Sequence, residues 1–292
     1  MKRLFWRLSP EMILCLAIAC SLGCSDPNNS VPAGPPVLTS WSVVDNNTFS
    51  PVDVTSDAGP IQINGFVHLN ALFDRLLDGS TVTSIDGGPD QGTDAVAVDV
   101  TPALPASATF SVNSIYTPNG AAPSMVLVFA PGPSIATTAM PTFPSGSMIT
   151  ATMSKTKVRS KKGEPFTGDD KLTFETLPFS VAIGVPMGDA NPDAGADAGP
   201  PPVSPMMQAV TLAFTNLPDP NIQAAITVTV NGAAYTDFSV APEMNPTVVD
   251  VTPTTTWPAN ATVVVSVSAA ATDAVGVSID AAASGTFTTS GM

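Results

Sequence analysis

Residues 257–267 read WPANATVVVSV and residues 143–153 read FPSGSMITATM, and together these two stretches decide the fold. Each begins with an aromatic residue and a proline and continues with three small or polar residues. Each then ends in a six-residue run that contains several β-branched residues. Such runs, bounded by proline and small polar residues, predict β-strands. The same pattern at two places in one chain indicates a repeated structural unit.

The sequence around both stretches extends the repeat. Each copy has a similar strand-like run upstream, a turn glycine about ten residues downstream, and a closing strand that contains Phe-x-Thr. The matching pairs are residues 126–131 (VLVFAP) and 248–253 (VVDVTP), Gly163 and Gly276, and residues 172–176 (LTFET) and 285–289 (GTFTT). Two copies of one unit, separated by a linker, account for this order of motifs.

The second copy shows the expected architecture most clearly. Its short β-type runs are residues 209–214, 225–230, 247–251, 262–267 and 285–289. Turn residues separate these runs, and Asn231-Gly232 predicts a tight β-hairpin. Many short strands in about 90 residues are typical of a β-sandwich. The sequence therefore predicts an all-β protein.

The repeated unit resembles the bacterial immunoglobulin-like (Ig-like) domain first described in S-layer proteins. The opening strand motif of that family is matched well by residues 73–82 (FDRLLDGSTV) and less well by residues 214–222. Its closing motifs, Asp-x-x-Gly and Phe-x-Thr, are matched by residues 272–276 and 287–289. Residues 159–163 of the first copy lack the aspartate. The resemblance covers residues 60–178 and 205–290.

This resemblance implies two Ig-like β-sandwich domains in tandem. It implies a role as spacer, scaffold or adhesion module, although such domains also occur attached to enzymes. Fold alone does not establish function.

The amino terminus predicts export. Residues 1–7 (MKRLFWR) are basic, residues 12–19 (MILCLAIA) are apolar, and the chain then reads Ser-Leu-Gly-Cys at residues 21–24. This is the arrangement of a signal peptide, and its apolar stretch is too short to span a bilayer. The ending resembles the lipobox of bacterial lipoproteins, although the family prefers Leu where Ser21 stands. The alternatives are cleavage near Cys20 or an ordinary secretory signal.

The lipobox resemblance implies that Cys24 is acylated and is the first mature residue. The protein would then be a lipid-anchored component of the bacterial cell envelope. We expect the outer membrane, on its periplasmic or surface face.

Composition shifts predict the domain boundaries. We expect a signal peptide over residues 1–23, a polar, proline-rich tether over 24–37, and a first sandwich over 38–186 with enlarged loops. An Asp-, Ala-, Gly- and Pro-rich segment at 187–205 is interpreted as a flexible linker, and the second sandwich follows over 206–292.

Charge and cysteine usage limit the partners. All three cysteines lie in or at the end of the leader, so the mature chain has no internal disulfide. Removal of the leader leaves 7 basic and 23 acidic residues, a net charge of −16. Such a surface repels nucleic acid and anionic lipid headgroups. Nucleic acid is therefore not expected as a partner.

Motifs for catalysis are absent from the sequence. The single histidine, His68, lies in a strand-like run and is more simply interpreted as a structural residue. There is no cysteine nucleophile, zinc motif, nucleophile elbow, P-loop or dinucleotide fingerprint. We expect no enzyme activity and no cofactor. Two loose acidic clusters are candidate calcium sites, at Asp189, Asp193 and Asp197 and at Asp86, Asp90 and Asp94. Their spacing favours low-complexity linker and loop over a metal site.

Five of the seven mature positive charges fall within eight residues: Lys155, Lys157, Arg159, Lys161 and Lys162. In an extended strand, the first four would share one face. One hypothesis is edge-strand protection, in which lysines discourage pairing between sheets. The other is a docking stripe for an acidic polymer or partner in the envelope.

Two functional hypotheses remain open. The first is a non-catalytic envelope lipoprotein that acts as a structural, spacer or adhesion module. The alternative is a ligand-binding lipoprotein, for glycan or calcium, with its site in the long loops of the first sandwich.

Overall fold

The computed structural model describes residues 34–56, 59–82, 95–104, 110, 112–116, 125–131, 142–187, 203 and 207–291. Within these ranges the chain forms strands and one short 3-10 helix, Ile222–Ala225, and no α-helix. The predicted all-β class is confirmed. None of the helical structure in these ranges is long and apolar enough to cross a bilayer.

The strands are numbered in chain order. They are β1 (Leu38–Asp45), β2 (Pro51–Val52), β3 (Thr55–Ser56), β4 (Gly59–Pro60), β5 (Gln62–Ile63), β6 (Val67–Phe73), β7 (Val96–Thr101), β8 (Val112–Ile115), β9 (Val126–Pro131), β10 (Met148–Met153), β11 (Lys171–Thr176), β12 (Val181–Gly184), β13 (Val210–Phe214), β14 (Ile226–Val230), β15 (Ala233–Tyr235), β16 (Phe238–Pro242), β17 (Val248–Pro253), β18 (Thr262–Val267) and β19 (Ala283–Thr288).

The two copies of the repeat form equivalent strands. The predicted six-residue runs become β10 and β18, and both bury their second, fourth and sixth residues. The upstream runs become β9 and β17, which also share one burial pattern. The predicted hairpin at Asn231-Gly232 joins β14 to β15, and both residues have positive φ, 51° and 82°. That conformation is typical of a type I′ turn.

Each copy folds as a sandwich of two sheets. In the first sandwich the sheets are β2-β1-β6-β9-β8 and β5-β11-β10-β7. In the second they are β12-β13-β17-β16 and β15-β14-β18-β19. The seven strands that occur in both sandwiches can be lettered A to G in chain order. The strand orders of the two sheets are then A-B-E-D and C-F-G in both sandwiches. These are the strand orders of immunoglobulin constant-type sandwiches.

Each sandwich has its own hydrophobic core. In the first core Phe143 is fully buried and meets Phe174 edge-on, with ring centroids 5.1 Å apart. In the second core Trp257 is fully buried and meets Phe287 edge-on at 5.5 Å. The aromatic residue that opens each repeat motif is therefore a central core residue, which explains why the motif begins with one.

The boundary between the sandwiches differs from the sequence prediction. Strand β12, which the prediction placed in the first sandwich, pairs with β13 in the second. The second sandwich therefore begins near Phe179, and the segment 187–205 lies between two of its own strands. Composition marks a proline- and glycine-rich segment, but it does not show with which sandwich the preceding strand pairs. Of that segment, only Met187 and Val203 lie within the described residues.

Candidate functional site

A threonine hydroxyl forms hydrogen bonds with the backbone of the corner before β10, and a second threonine does the same at the equivalent corner before β18. In the first sandwich, the hydroxyl of Thr176 donates to the carbonyl oxygen of Pro144 (2.6 Å) and accepts from the N–H of Ser147 (3.0 Å). In the second, Thr289 donates to Pro258 (2.5 Å) and accepts from Ala261 (2.9 Å). The Phe-x-Thr motif therefore ties the closing strand to the aromatic-proline corner in both copies.

The corners share their backbone as well as their hydrogen bonds. Gly146 and Asn260 occupy equivalent positions, two residues after the proline, and have φ of 61° and 53°. Glycine and asparagine are the residues that most readily adopt this left-handed conformation. The repeat seen in the sequence is thus a repeat of backbone geometry.

The turn after β18 uses a buried aspartate where the first sandwich uses a serine. One carboxylate oxygen of Asp273, Oδ1, accepts from the N–H groups of Val275 (3.0 Å) and Val277 (2.8 Å). At the equivalent place, the hydroxyl of Ser160 accepts from the N–H groups of Lys162 (3.2 Å) and Glu164 (3.3 Å). Serine is sufficient to hold this turn. The second carboxylate oxygen of Asp273 is therefore available for another contact.

That second oxygen reaches across to the first sandwich. Asp273 Oδ2 accepts from the N–H of Ser145 at 3.0 Å and lies 3.4 Å from Nδ2 of Asn216. Both Asp273 and Asn216 have no exposed surface. A carboxyl group is stable in such a place only when hydrogen bonds replace its lost water. Here the donors are three backbone N–H groups and one side-chain amide.

Asn216 completes the contact between the sandwiches. Its Nδ2 donates to the carbonyl oxygen of Phe143 (2.9 Å) and to Oγ of Ser145 (2.8 Å). Its Oδ1 accepts from the hydroxyl of Thr142 and from the N–H of Leu217 (2.8 Å). We call the set Thr142, Phe143, Ser145, Asn216 and Asp273 the junction.

The junction also explains one glycine. A methyl group added at Gly65 would stand 2.5 Å from Nδ2 of Asn216 and would overlap the carbonyl oxygen of Phe143. Only glycine permits the two sandwiches to approach this closely. The fit between them is therefore specific.

The predicted basic residues are together, but not on a strand. Lys155, Lys157, Arg159, Lys161 and Lys162 all lie in the loop that joins β10 to β11. Both hypotheses had assumed an extended strand with one basic face, and that assumption is wrong. The chain turns here because Ser154 accepts backbone hydrogen bonds from residues 157 and 158. Edge-strand protection loses its basis, whereas a docking role remains an untested prediction.

Lys155 and Arg159 have acidic neighbours. Nζ of Lys155 lies 3.4 Å from Asp170, and Nε of Arg159 lies 3.9 Å from Asp78. Hydrogen bonds from Ser80 lower the pKa of Asp78, and the charge of Arg159 lowers it further. The carboxylate beside the loop therefore stays ionised under mildly acidic conditions.

His68 has a structural environment. Its Nδ1 lies 2.6 Å from Oδ1 of Asn46, on the part-buried outer face of β6. Burial lowers the pKa of His68, and the nearby charge of Asp45 partly offsets this effect. Within the described residues, no group of three or more His, Cys, Asp or Glu side chains could hold a metal ion.

Several parts of the sequence interpretation lie outside the described residues. They are the signal peptide over 1–23, Cys24, the tether up to residue 33, and the two acidic clusters of residues 189–197 and 86–94. The long loops proposed for a ligand site also lie largely outside.

Sequence reasoning did not identify the junction. The relevant signals were present, because Asp273 opens the Asp-x-x-Gly motif and Ser145 follows the proline of the repeat. The sequence pattern presents Asp273 only as a turn residue and Ser145 only as one of three small or polar residues before a strand. A single sequence does not show that two turns from different sandwiches meet.

Compared with known proteins, the chain matches no protein-family model and no curated protein.

Proposed function

We propose that this protein is a non-catalytic lipoprotein of the bacterial cell envelope, anchored through acylated Cys24, whose two S-layer-type Ig-like sandwiches act as a stiff spacer or adhesion module. The observation that carries the spacer role is the junction, where Asn216 and Asp273 are fully buried between the sandwiches. A spacer must resist bending, and a desolvated, fully hydrogen-bonded contact does so because opening it would leave polar groups unpaired.

The covalent connection supports the same role. Only residues 177–180 separate β11 from β12. The N–H of Leu177 donates to Ile63 of the first sandwich (2.7 Å), and the carbonyl oxygen of Phe179 accepts from Asp280 of the second (2.8 Å). Pro178 between them fixes its own φ. A connector bonded at both ends and stiffened in the middle leaves little freedom for bending.

The anchor is supported by the leader and by the beginning of the fold. Acylation at the Ser-Leu-Gly-Cys ending would put the lipid on Cys24, 14 positions before β1. Several acyl chains on one cysteine give stable membrane attachment, which a single chain does not. The sandwiches would therefore be held close to the membrane. We propose that this membrane is the outer membrane.

Metabolic labelling tests the anchor. The full chain would be expressed in a Gram-negative host with an alkyne-tagged fatty acid, beside the variants Cys24→Ser and Cys20→Ser. We expect label on the wild type and on Cys20→Ser, and none on Cys24→Ser. Label on Cys24→Ser, or none on the wild type, would contradict the assignment.

Small-angle X-ray scattering of the mature chain tests the spacer. We expect the wild type to give one narrow distribution of interatomic distances. Gly65→Ala should broaden it, because the added methyl group would overlap the carbonyl oxygen of Phe143 and Nδ2 of Asn216 and so break the bond between them. Gly184→Ala is the matched control, since its added carbon would meet neighbours at no less than 3.6 Å. A broad wild-type distribution, unchanged by Gly65→Ala, would overturn the spacer role.

A further inference from the structure

All seven basic residues of the mature chain lie at one end of the first sandwich. Arg75 follows β6, Lys171 begins β11, and the remaining five lie in the loop between β10 and β11: Lys155, Lys157, Arg159, Lys161 and Lys162. We call this surface the basic end. From residue 179 onward the chain has nine acidic residues and no basic one.

The basic end has an equivalent in the second sandwich, and there it is covered. Ser160 of the loop corresponds to Asp273, and Arg75 corresponds in the strand order to Asn216. In the second sandwich that end is buried against the first sandwich through the junction. In the first sandwich, the same end adjoins the segment that precedes the sandwich in the chain.

What precedes the domain is the tether. The guanidinium of Arg75 donates to the carbonyl oxygen of Gly34 (3.1 Å), and the N–H of Val37 donates to Asp74 (2.8 Å). These bonds fix the tether where it leaves the basic end. Ten residues connect Cys24 to Gly34, and a fully extended chain of that length spans at most about 35 Å.

The net charge of the basic end is positive, whereas that of the whole mature chain is negative. Five carboxylates accompany the seven cations at this end: Asp74, Asp78, Glu164, Asp169 and Asp170. The rest of the mature chain carries the other 18 acidic residues. Screening limits charge interactions to about 8 Å at physiological ionic strength. A surface in contact with the basic end therefore experiences local cations and not the net charge of the protein. Five of these cations are exposed: Lys155, Lys157, Lys161, Lys162 and Lys171.

We propose that the basic end rests on the anionic phospholipid headgroups of the membrane that holds the anchor. The contact orients the protein, with the acidic second sandwich pointing away from the membrane. This proposal rests on the proposed lipid anchor. A few lysines attract an anionic surface only modestly. The tether, however, keeps them at high effective concentration beside it.

A chemically anchored protein tests the orientation without relying on cellular acylation. The mature chain has one cysteine, Cys24, which would be coupled to maleimide-headgroup lipid in vesicles of phosphatidylcholine, with or without phosphatidylglycerol. Lysine acetylation by an N-hydroxysuccinimide ester would then be followed by mass spectrometry. The variant Thr286→Lys adds a reference amine on an exposed position of β19.

We expect acetylation of Lys157, Lys161 and Lys162 to slow by about threefold or more on anionic vesicles only, since each sits near the charged surface. The reference lysine should not slow. Salt at about 1 M should restore the rates, because the screening length falls to about 3 Å. In the triple variant Lys157→Ser, Lys161→Ser and Lys162→Ser, protection of Lys155 and Lys171 should disappear.

Equal rates on the two vesicle types would overturn the proposal, and so would equal slowing at the reference lysine. Stronger protection by a soluble acidic polysaccharide than by vesicles of equal charge would also overturn it and assign this end to a polymer partner. Absence of acylation in cells would refute the anchor while leaving the vesicle result valid, so the two failures are distinguishable.

Discussion

The two sandwiches present the same end of the same fold to different surroundings. In the second, a turn held by Asp273 is buried on the neighbouring sandwich. In the first, a turn held by Ser160 carries exposed lysines beside the tether. The backbone hydrogen bonds that define the two turns are equivalent. The difference lies in one side-chain oxygen and the charges around it.

This difference shows how a repeated unit acquires a specific neighbour. The turn needs only one acceptor, which serine and aspartate both provide. The additional carboxylate oxygen of Asp273 serves the contact between the sandwiches. We therefore expect substitutions here to separate folding of the unit from assembly of the pair.

The largest expected effect is loss of a core aromatic. Trp257→Ala removes the fully buried ring and leaves a cavity, which destabilises a core by about 3–5 kcal/mol. Phe143→Ala is the matched change in the first sandwich. If the cores are separate, calorimetry should show a lower transition for one sandwich in each variant. A single transition that shifts equally in both would indicate one cooperative unit and weaken the comparison.

The next effect concerns the junction. Asp273→Ala leaves the buried N–H groups of Ser145 and Val275 and the part-buried N–H of Val277 without their acceptor. Water can enter the space that alanine leaves, so we expect a total loss of about 1–3 kcal/mol. Asp273→Ser reproduces the first sandwich and should keep the turn while losing the contact across the junction. We expect urea unfolding to show a clearly smaller loss for serine than for alanine.

Amide hydrogen exchange distinguishes the two roles of Asp273, in the turn and in the junction. In Asp273→Ser, the amide of Ser145 should exchange with solvent faster, whereas the amides of Val275 and Val277 should stay protected. Ser160→Ala is the control at the equivalent place and should leave the junction amide unaffected. Equal loss of protection at all three amides would mean that the turn and the junction cannot be separated.

A smaller effect is expected at the two corners. Thr176→Val and Thr289→Val each remove a buried hydroxyl that bonds both a carbonyl oxygen and an N–H. Each should destabilise its own sandwich by about 1–2 kcal/mol, measured by urea unfolding. Thr288→Val, at an exposed neighbouring position, is the control and should be nearly neutral. Unequal losses at the two corners would show that the equivalence is limited to geometry.

The sequence predicted local structure better than contacts between units. The strands β9, β10, β17 and β18 lie where their β-branched runs placed them, because alternating burial leaves a pattern within six residues. The partner of β12 was not predictable in this way, since the short run 181–184 would fit either sandwich. The junction was missed for a related reason: Ser145 and Asp273 are 128 residues apart, and their pairing depends on how two folded units meet.

The smallest expected effect is the pH dependence contributed by His68, which only the first sandwich contains. Because burial lowers its pKa in the folded state, protonation favours the unfolded chain. Its contribution is fully present above the unfolded pKa of about 6.5 and is lost as the pH falls through the lower folded value. Thermal unfolding should therefore show the first sandwich losing stability on mild acidification and the second remaining level. His68→Gln should abolish this difference, since it removes the only histidine. A slope that persists in the variant would place the titrating group elsewhere.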